Sequence, residues 1–305
     1  MIAVVCPGQG SQKPGFLAPW LEIDGVREHL EKLSAAVDLD LIHYGTEADE
    51  ETIKDTSVAQ PLIVAAGIIA GSQLKKNPAF DASQVIFAGH SVGEVTAAAL
   101  SGVLSEEDAM RFIKVRATGM ADAAAAAPSG MSAVLGGKEE DVREAISAAN
   151  LTAANSNGGG QIVAAGALED LKNFAENPPA KTRVIPLKVA GAFHTSFMES
   201  AVAPLQEFAE TLSLAAPQAE LLSNYDGQAV ADGKAVVDSL VAQVTRPVRW
   251  DLCMEALSAR EVTAVVELAP AGTLVGLAKR GMRGTPGIAV NTPADLDQAA
   301  AAFTN

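Results

Sequence analysis

The chain has 305 residues, 49% of them hydrophobic and 4% aromatic, with a formal net charge of −15. That length supports one large domain, or one with a smaller companion, and a core that needs neither disulfides nor metal. The two cysteines, Cys6 and Cys253, lack any CxxC or Cys/His spacing, which argues against a zinc site or a disulfide framework, and the acidic balance argues against non-specific nucleic-acid binding.

Residues 2–6 read as an apolar strand. They are preceded by no basic stretch and stopped by Pro7-Gly8, so a signal peptide is not expected. No apolar run reads as long enough to span a bilayer, and a soluble, cytoplasmic monomer with no membrane association is expected. Residues 26–37 and 57–74 read as helices, the second with Pro61 in its first turns. Residues 85–88 form a short apolar strand. A helix over 105–125 opens on Ser105, with Glu106, Glu107 and Asp108 in its first turn. Short apolar strands alternating with helices predict a parallel sheet covered on both faces.

The pattern changes at Pro128-Ser129-Gly130. Strand 131–135, helix 139–149, strands 151–154 and 162–165 around an Asn/Gly-rich turn, helix 167–176 and strand 183–189 spell β-α-β-β-α-β, a ferredoxin-like unit. This divides the chain into residues 1–127 and 190–305, a large α/β part, with a small subdomain over 128–189 inserted. After it come helix 196–212, strand 219–223, helix 236–244 and strand 264–267.

Gly89-His90-Ser91-Val92-Gly93 lies between the strand at 85–88 and a small-residue stretch. Strand, tight G-x-S-x-G turn and helix make a nucleophile elbow, in which the serine hydroxyl is lifted from a strained turn. Ser91-x-x-Glu94 also reads as a capping box, so Ser91 has a structural alternative.

Four histidines are available as a base. His29 reads as a solvated residue of an amphipathic helix, His43 lies in a polar connection, and His90 is fixed in the elbow with its side chain directed away from Ser91. His194 follows a strand and the Gly191-Ala192 turn, before a helix that reads as capped by Ser196-x-x-Glu199. Strand ends facing helix starts are where sites form in open parallel sheets, and a helix N-terminus keeps an imidazole neutral. A packed histidine is the alternative.

Ala109, Phe112, Ile113, Arg116 and Met120 share one helical face, so Arg116 points with the apolar stripe. A buried guanidinium needs an anion, either a structural Asp or Glu or a substrate carboxylate that fits its fork. Pro7-Gly8-Gln9-Gly10-Ser11-Gln12 follows the first strand. It lacks the third glycine of a dinucleotide loop and the Gly-Lys-Ser/Thr of a phosphate loop, and suits the placing of a polar donor beside a site.

These residues, in this order, resemble the malonyl-CoA:acyl carrier protein transacylases. Asn155-Ser156-Asn157, Gln161-Ile162-Val163, Gln243 before Pro247-Val248-Arg249-Trp250, and Pro270-Ala271-Gly272-Thr273-Leu274 extend the resemblance over nearly the whole chain. It implies an α/β-hydrolase-like large subdomain with a ferredoxin-like small one. It also implies that Ser91 carries the malonyl group, His194 is its base, and Gln9 with the Val92 N–H forms the oxyanion hole. Arg116 would hold the malonyl carboxylate, and the Gln243 carbonyl would orient the histidine. Asn157 and His90 would lie near the substrate. Phe193, which departs from relatives with Pro-Ser before the histidine, would favour malonyl over methylmalonyl. The implied partners are malonyl-CoA and a phosphopantetheinylated acyl carrier protein, with no metal and no permanently bound cofactor.

Carrier proteins are acidic, as is this chain, so a local basic patch is expected from Lys181, Arg183, Lys188, Lys279, Arg280 and Arg283. The competing readings are a serine esterase or thioesterase, which expects an acidic triad member between Ser91 and His194, a polyketide acyltransferase, and a non-enzymatic binding module.

Overall fold

A computed structural model describes residues 1–304. Its strands are β1 (Ile2–Cys6), β2 (Val85–Gly89), β3 (Ser129–Gly136), β4 (Thr152–Gly158), β5 (Gln161–Ala167), β6 (Thr182–Pro186), β7 (Glu220–Leu221), β8 (Val248–Arg249), β9 (Ala264–Glu267) and β10 (Gly287–Ala289). They form two sheets. One is ordered β10-β9-β1-β2-β7 and is parallel throughout; the other is ordered β6-β3-β5-β4-β8.

The central strands β1 and β2 of the parallel sheet are buried on both faces, being apolar at every position. Ile2, Val4 and Cys6 join Val85 and Phe87 against the main helical layer. Ala3, Val5, Ile86 and Ala88 pack on the opposite face against Trp250, Met254 and Leu274. In the second sheet, Val134, Ile162 and Ala164 pack under helix Glu139–Ala148 and helix Leu168–Glu176, through Val142, Ile146, Leu171 and Phe174. Its order, β6-β3-β5-β4, is that of the ferredoxin-like unit, with antiparallel pairing of β3 to β5 and β6 and of β4 to β5. β8 adds in parallel to β4, so the last part of the chain contributes a strand to the second sheet.

The local patterns place several elements within a residue or two. The helix expected over 57–74 is Thr56–Lys75, and that over 105–125 is Glu106–Ala126 with Ser105 as N-cap. Others differ. The strand expected over 183–189 ends at Pro186. The helix expected over 196–212 is a 3-10 turn, Ser196–Ala201, followed by helix Val202–Ala209. Its cap is the Thr195 hydroxyl, which accepts from the Phe197 N–H, in place of Ser196. The strand over 219–223 is reduced to Glu220–Leu221. His43 lies in helix Leu41–Thr46 rather than in an irregular connection. His29 is not simply solvated: its Nε2 pairs with Glu106 at 2.5 Å.

Among the described residues, one helix, Thr56–Lys75, is long and apolar enough to cross a membrane, contrary to the expectation from the sequence. Its most apolar window is 78% buried within the protein, as befits the central helix of a core.

Candidate active site

Parallel pairing sets Cys6 against Gly89, so the loops that leave β1 and β2 emerge side by side. The His90 N–H donates to the Cys6 carbonyl at 3.0 Å and locks the two turns together. The elbow permits no side chain at its glycines. A Cβ on Gly93 would lie 2.1 Å from the Cys6 carbonyl oxygen, and one on Gly89 would lie 2.2 Å from the Glu94 nitrogen. Ser91 itself has φ +53°, a left-handed conformation that a non-glycine residue adopts at a cost of roughly 1–3 kcal/mol.

That backbone directs the hydroxyl out of the turn. Ser91 Oγ lies 2.7 Å from His194 Nε2, and His194 Nδ1 donates to the main-chain oxygen of Gln243 at 2.8 Å. Nδ1 therefore carries the proton and Nε2 is free to accept the serine's. The third member is a peptide carbonyl, in place of the acidic residue that the esterase reading expects. The capping-box reading of Ser91 does not hold. Val92 is the N-cap of helix Gly93–Leu100 with no side-chain cap bond, because the left-handed Ser91 turns its hydroxyl toward His194.

Burial, and then the positive charge of Arg116, lowers the pKa of His194 to about 3. The imidazole is therefore neutral, although the cause differs from the helix N-terminus expected from the sequence. His194 also has a left-handed backbone, φ +62°, so both members of the pair are held in uncommon conformations.

Arg116 is 1% exposed. Its Nη1 donates to Gln60 Oε1 at 2.6 Å, its Nη2 to Gln243 Oε1 at 2.7 Å, and Nη2 lies 3.5 Å from Ser91 Oγ. Among the described residues these acceptors are amide and hydroxyl oxygens, and Arg116 Nε has no partner. Burial lowers the guanidinium pKa to about 10, with Glu94 opposing, so it stays charged. A buried cation with unused donors beside a nucleophile is a seat for an anionic group.

The Ser91 hydroxyl opens into a cavity of about 210 Å³ between the two sheets. Gln9, Gln60, His90, Phe193 and His194 line it from the large part; Met131, Asn155, Asn157 and Val163 line it from the second sheet; Thr273, Leu274 and Leu277 close another wall. Gln9 Nε2 is steadied by Thr56 Oγ1 at 3.3 Å. The Val92 N–H has no protein acceptor among the described residues and lies at the start of its helix. His90 Nε2 donates to Asn157 Oδ1 at 2.9 Å, joining the elbow to β4 across the cavity.

Thus the structure brings Gln9, His90, Ser91, Val92, Arg116, Asn157, Phe193, His194 and Gln243 together. The sequence reading missed Gln60 and Asn224. Gln60 sits on the helix with Pro61 and reaches Arg116 across 56 positions, and Asn224 bonds the Gly89 carbonyl across 135. No local spacing marks either. Among the described residues no group of three His, Cys, Asp or Glu is placed to hold a metal.

Residues 3–298 match the acyl transferase domain family. The chain is 51% identical over 300 residues to the malonyl CoA-acyl carrier protein transacylase of Mycobacterium tuberculosis, covering 98% of this chain and 99% of that one. The crystal structure of MCAT from Mycobacterium tuberculosis superposes with a TM-score of 0.96 at 51% identity, over 98% of this chain and 99% of that chain. A malonyl-transacylase solved in complex with a type II PKS acyl-carrier protein superposes with a TM-score of 0.92 at 28% identity, over 98% of this chain and 99% of that chain.

Proposed function

The chain belongs to the acyl transferase domain family, and we propose that it transfers the malonyl group of malonyl-CoA to the phosphopantetheine thiol of an acyl carrier protein, supplying extender units for fatty acid synthesis. The observation that carries this reading is Arg116, a buried guanidinium 3.5 Å from the nucleophile and bonded to amide oxygens. A neutral acyl group would leave that charge without an anion, whereas a malonyl carboxylate satisfies it.

The steps follow from the geometry. His194 Nε2 takes the Ser91 proton as Oγ attacks the thioester carbonyl. The tetrahedral oxyanion accepts hydrogen bonds from the Val92 N–H and Gln9 Nε2. Collapse breaks the C–S bond, and the CoA sulfur leaves with the proton held by His194. The carrier's pantetheine thiol then gives its proton to His194, attacks malonyl-Ser91 and takes the acyl group, while Ser91 recovers the proton. This is a ping-pong transfer. The Gln243 carbonyl holds the histidine tautomer throughout. Phe193, 6% exposed beside His194, limits room for a branch at the malonyl α-carbon, and His90 with Asn157 borders the acyl chain's path.

The large α/β-hydrolase-like subdomain comprises residues 1–127 and 190–305, and the ferredoxin-like small subdomain residues 128–189. The enzyme works as a cytoplasmic monomer, with no resident cofactor or metal and no nucleic-acid or membrane partner. The carrier docks at the cavity mouth. Lys188 stands between the cavity-lining Leu187 and Val189, and Lys279, Arg280 and Arg283 follow the cavity-lining Leu277, all of them exposed. Lys181 and Arg183 lie exposed at the β6 edge of the second sheet.

Incubation with malonyl-CoA and intact-mass measurement tests the reading. A stable malonyl adduct, absent in Ser91→Ala and discharged by holo carrier protein, is expected. Rapid release of free malonate points instead to a thioesterase, and no adduct to a binding module.

A further inference from the structure

Glu94 is a carboxylate inside the protein, 3% exposed, one turn beyond the nucleophile on helix Gly93–Leu100. Its Oε1 accepts from the Asn224 N–H at 2.7 Å, and its Oε2 from Gln243 Nε2 at 2.6 Å. Gln243 Nε2 also donates to the Ser91 carbonyl oxygen at 3.1 Å, while Gln243 Oε1 accepts from Arg116 Nη2 at 2.7 Å. A primary amide has donors at one end and an acceptor at the other. The ionised Glu94 carboxylate and the Ser91 carbonyl only accept, so the amide nitrogen faces them and the oxygen is left for the guanidinium.

We propose that Glu94 is a positioning residue for acyl selectivity: it fixes the direction of the Gln243 amide, and through it aims Arg116 at the acyl carboxylate without touching either the substrate or the arginine. This rests on the reading of Arg116 as the carboxylate's partner. The arrangement has a physical logic. Glu94 supplies the negative charge that acts on the buried guanidinium. Were it bonded to Arg116 directly, it would occupy the donors that the substrate needs. The interposed amide keeps the charge nearby and the fork open. Asn224 Nδ2 donates to the Gly89 carbonyl at 3.0 Å, which ties the same network to the first residue of the elbow.

An isosteric Glu94→Gln change removes the charge and lets the two facing amides turn over. The Gln243 NH2 then meets the Arg116 NH2, donor against donor, and the guanidinium retreats. The test is acyl-serine formation in single turnovers with malonyl-CoA and acetyl-CoA, for wild type, E94Q and R116A. For E94Q, kcat/KM with malonyl-CoA is expected to fall about 10- to 100-fold, as a misaimed charged hydrogen bond implies, while acetyl-CoA changes by less than about three-fold. Equal loss on both substrates assigns Glu94 a merely structural role and overturns the proposal, as does unchanged selectivity. If E94Q does not fold, Gln243→Met carries the same test: it keeps the main-chain carbonyl on His194, and selectivity for malonyl should fall by a similar factor. An R116A enzyme that loses malonyl and acetyl alike overturns the carboxylate role of Arg116 itself. An R116A enzyme that loses malonyl alone, beside an E94Q enzyme that keeps its preference, overturns only the role of Glu94.

Discussion

The Gln243 carbonyl oxygen accepts the Nδ1 proton of His194 at 2.8 Å, so a neutral peptide group stands where many serine enzymes place a carboxylate. A neutral acceptor fixes the tautomer but stabilises the imidazolium less than an anion does. Arg116 acts in the opposite direction from a carboxylate, its charge adding to burial in lowering His194. A malonyl carboxylate seated on Arg116, as proposed, would offset that charge and so couple substrate binding to the strength of the base. His194 in Arg116→Ala should therefore titrate higher than in wild type, and a bound malonyl analogue should raise it in wild type alone. Imidazole NMR signals followed against pH check both; an unmoved His194 in R116A would falsify the coupling.

The depressed pKa of His194 also bears on folding. In the unfolded chain the imidazole takes a proton near pH 6.5, and in the folded one only near 3. Between those values the unfolded state binds more protons, so stability is present above pH 6.5 and is lost as pH falls toward 3. Glu94 has the opposite sign. Burial raises it to about 7, so its neutral form favours the folded state below its unfolded value of 4.5, and that contribution is lost as pH rises through 7. Comparison with His194→Gln isolates the histidine. Between pH 7.5 and 5.0 the wild type should lose about 2 kcal/mol more than the variant in urea unfolding. Parallel curves for the two proteins would remove the effect.

The proposed oxyanion hole has one main-chain donor and one side-chain donor, and only the second is open to mutation. Gln9 emerges from β1 beside the elbow and is steadied by Thr56. If it binds charge that develops only in the tetrahedral state, Gln9→Ala should lower kcat roughly 10²- to 10³-fold with little change in KM. Steady-state kinetics with malonyl-CoA separate the two parameters, and a rise in KM at constant kcat would make Gln9 a ground-state contact instead.

The elbow's glycines can be tested by packing. In Gly93→Ala the new Cβ would stand 2.1 Å from the Cys6 carbonyl and 2.6 Å from that of Pro7, both backbone atoms of the adjacent turn. The turns must part, at a cost of about 3 kcal/mol or more, and the Ser91–His194 bond is lost with them. Thermal unfolding together with adduct formation should show both defects at once. Normal adduct formation at wild-type stability would mean that the turn yields more easily than its contacts imply.

The parts legible in the sequence are those whose signal is local. Two flanking glycines, a preceding apolar strand and a following run of small residues define the elbow within a dozen positions. The face of Arg116 follows from helical spacing within its own helix. The partners that decide what Arg116 does are not local: Gln60 and Gln243 reach it from 56 and 127 positions away. Glu94 was legible as part of a capping box, but the left-handed Ser91 removes the cap and frees the carboxylate for Gln243. Helix Thr273–Gly281 was missed for a related reason. Its first turn is capped from β9, where Glu267 accepts from the N–H groups of Gly272, Leu274 and Val275, so no start signal stands beside it. Strands β8 and β10, of two and three residues, are too short to show a period.

A chain of net charge −15 repels an acidic partner at long range, so productive encounter requires a local exception. Lys279, Arg280 and Arg283 follow the cavity wall, and Lys188 interrupts its lining between Leu187 and Val189. Reversing these charges to Glu should raise the KM for carrier protein and flatten its dependence on ionic strength, because exposed charges act through a field that salt screens. Formation of malonyl-Ser91 from malonyl-CoA in the absence of carrier should change much less, since none of the four side chains reaches the nucleophile. Half-reaction kinetics at two salt concentrations distinguish these effects. An unchanged salt slope in the quadruple variant would place the docking surface elsewhere on the molecule.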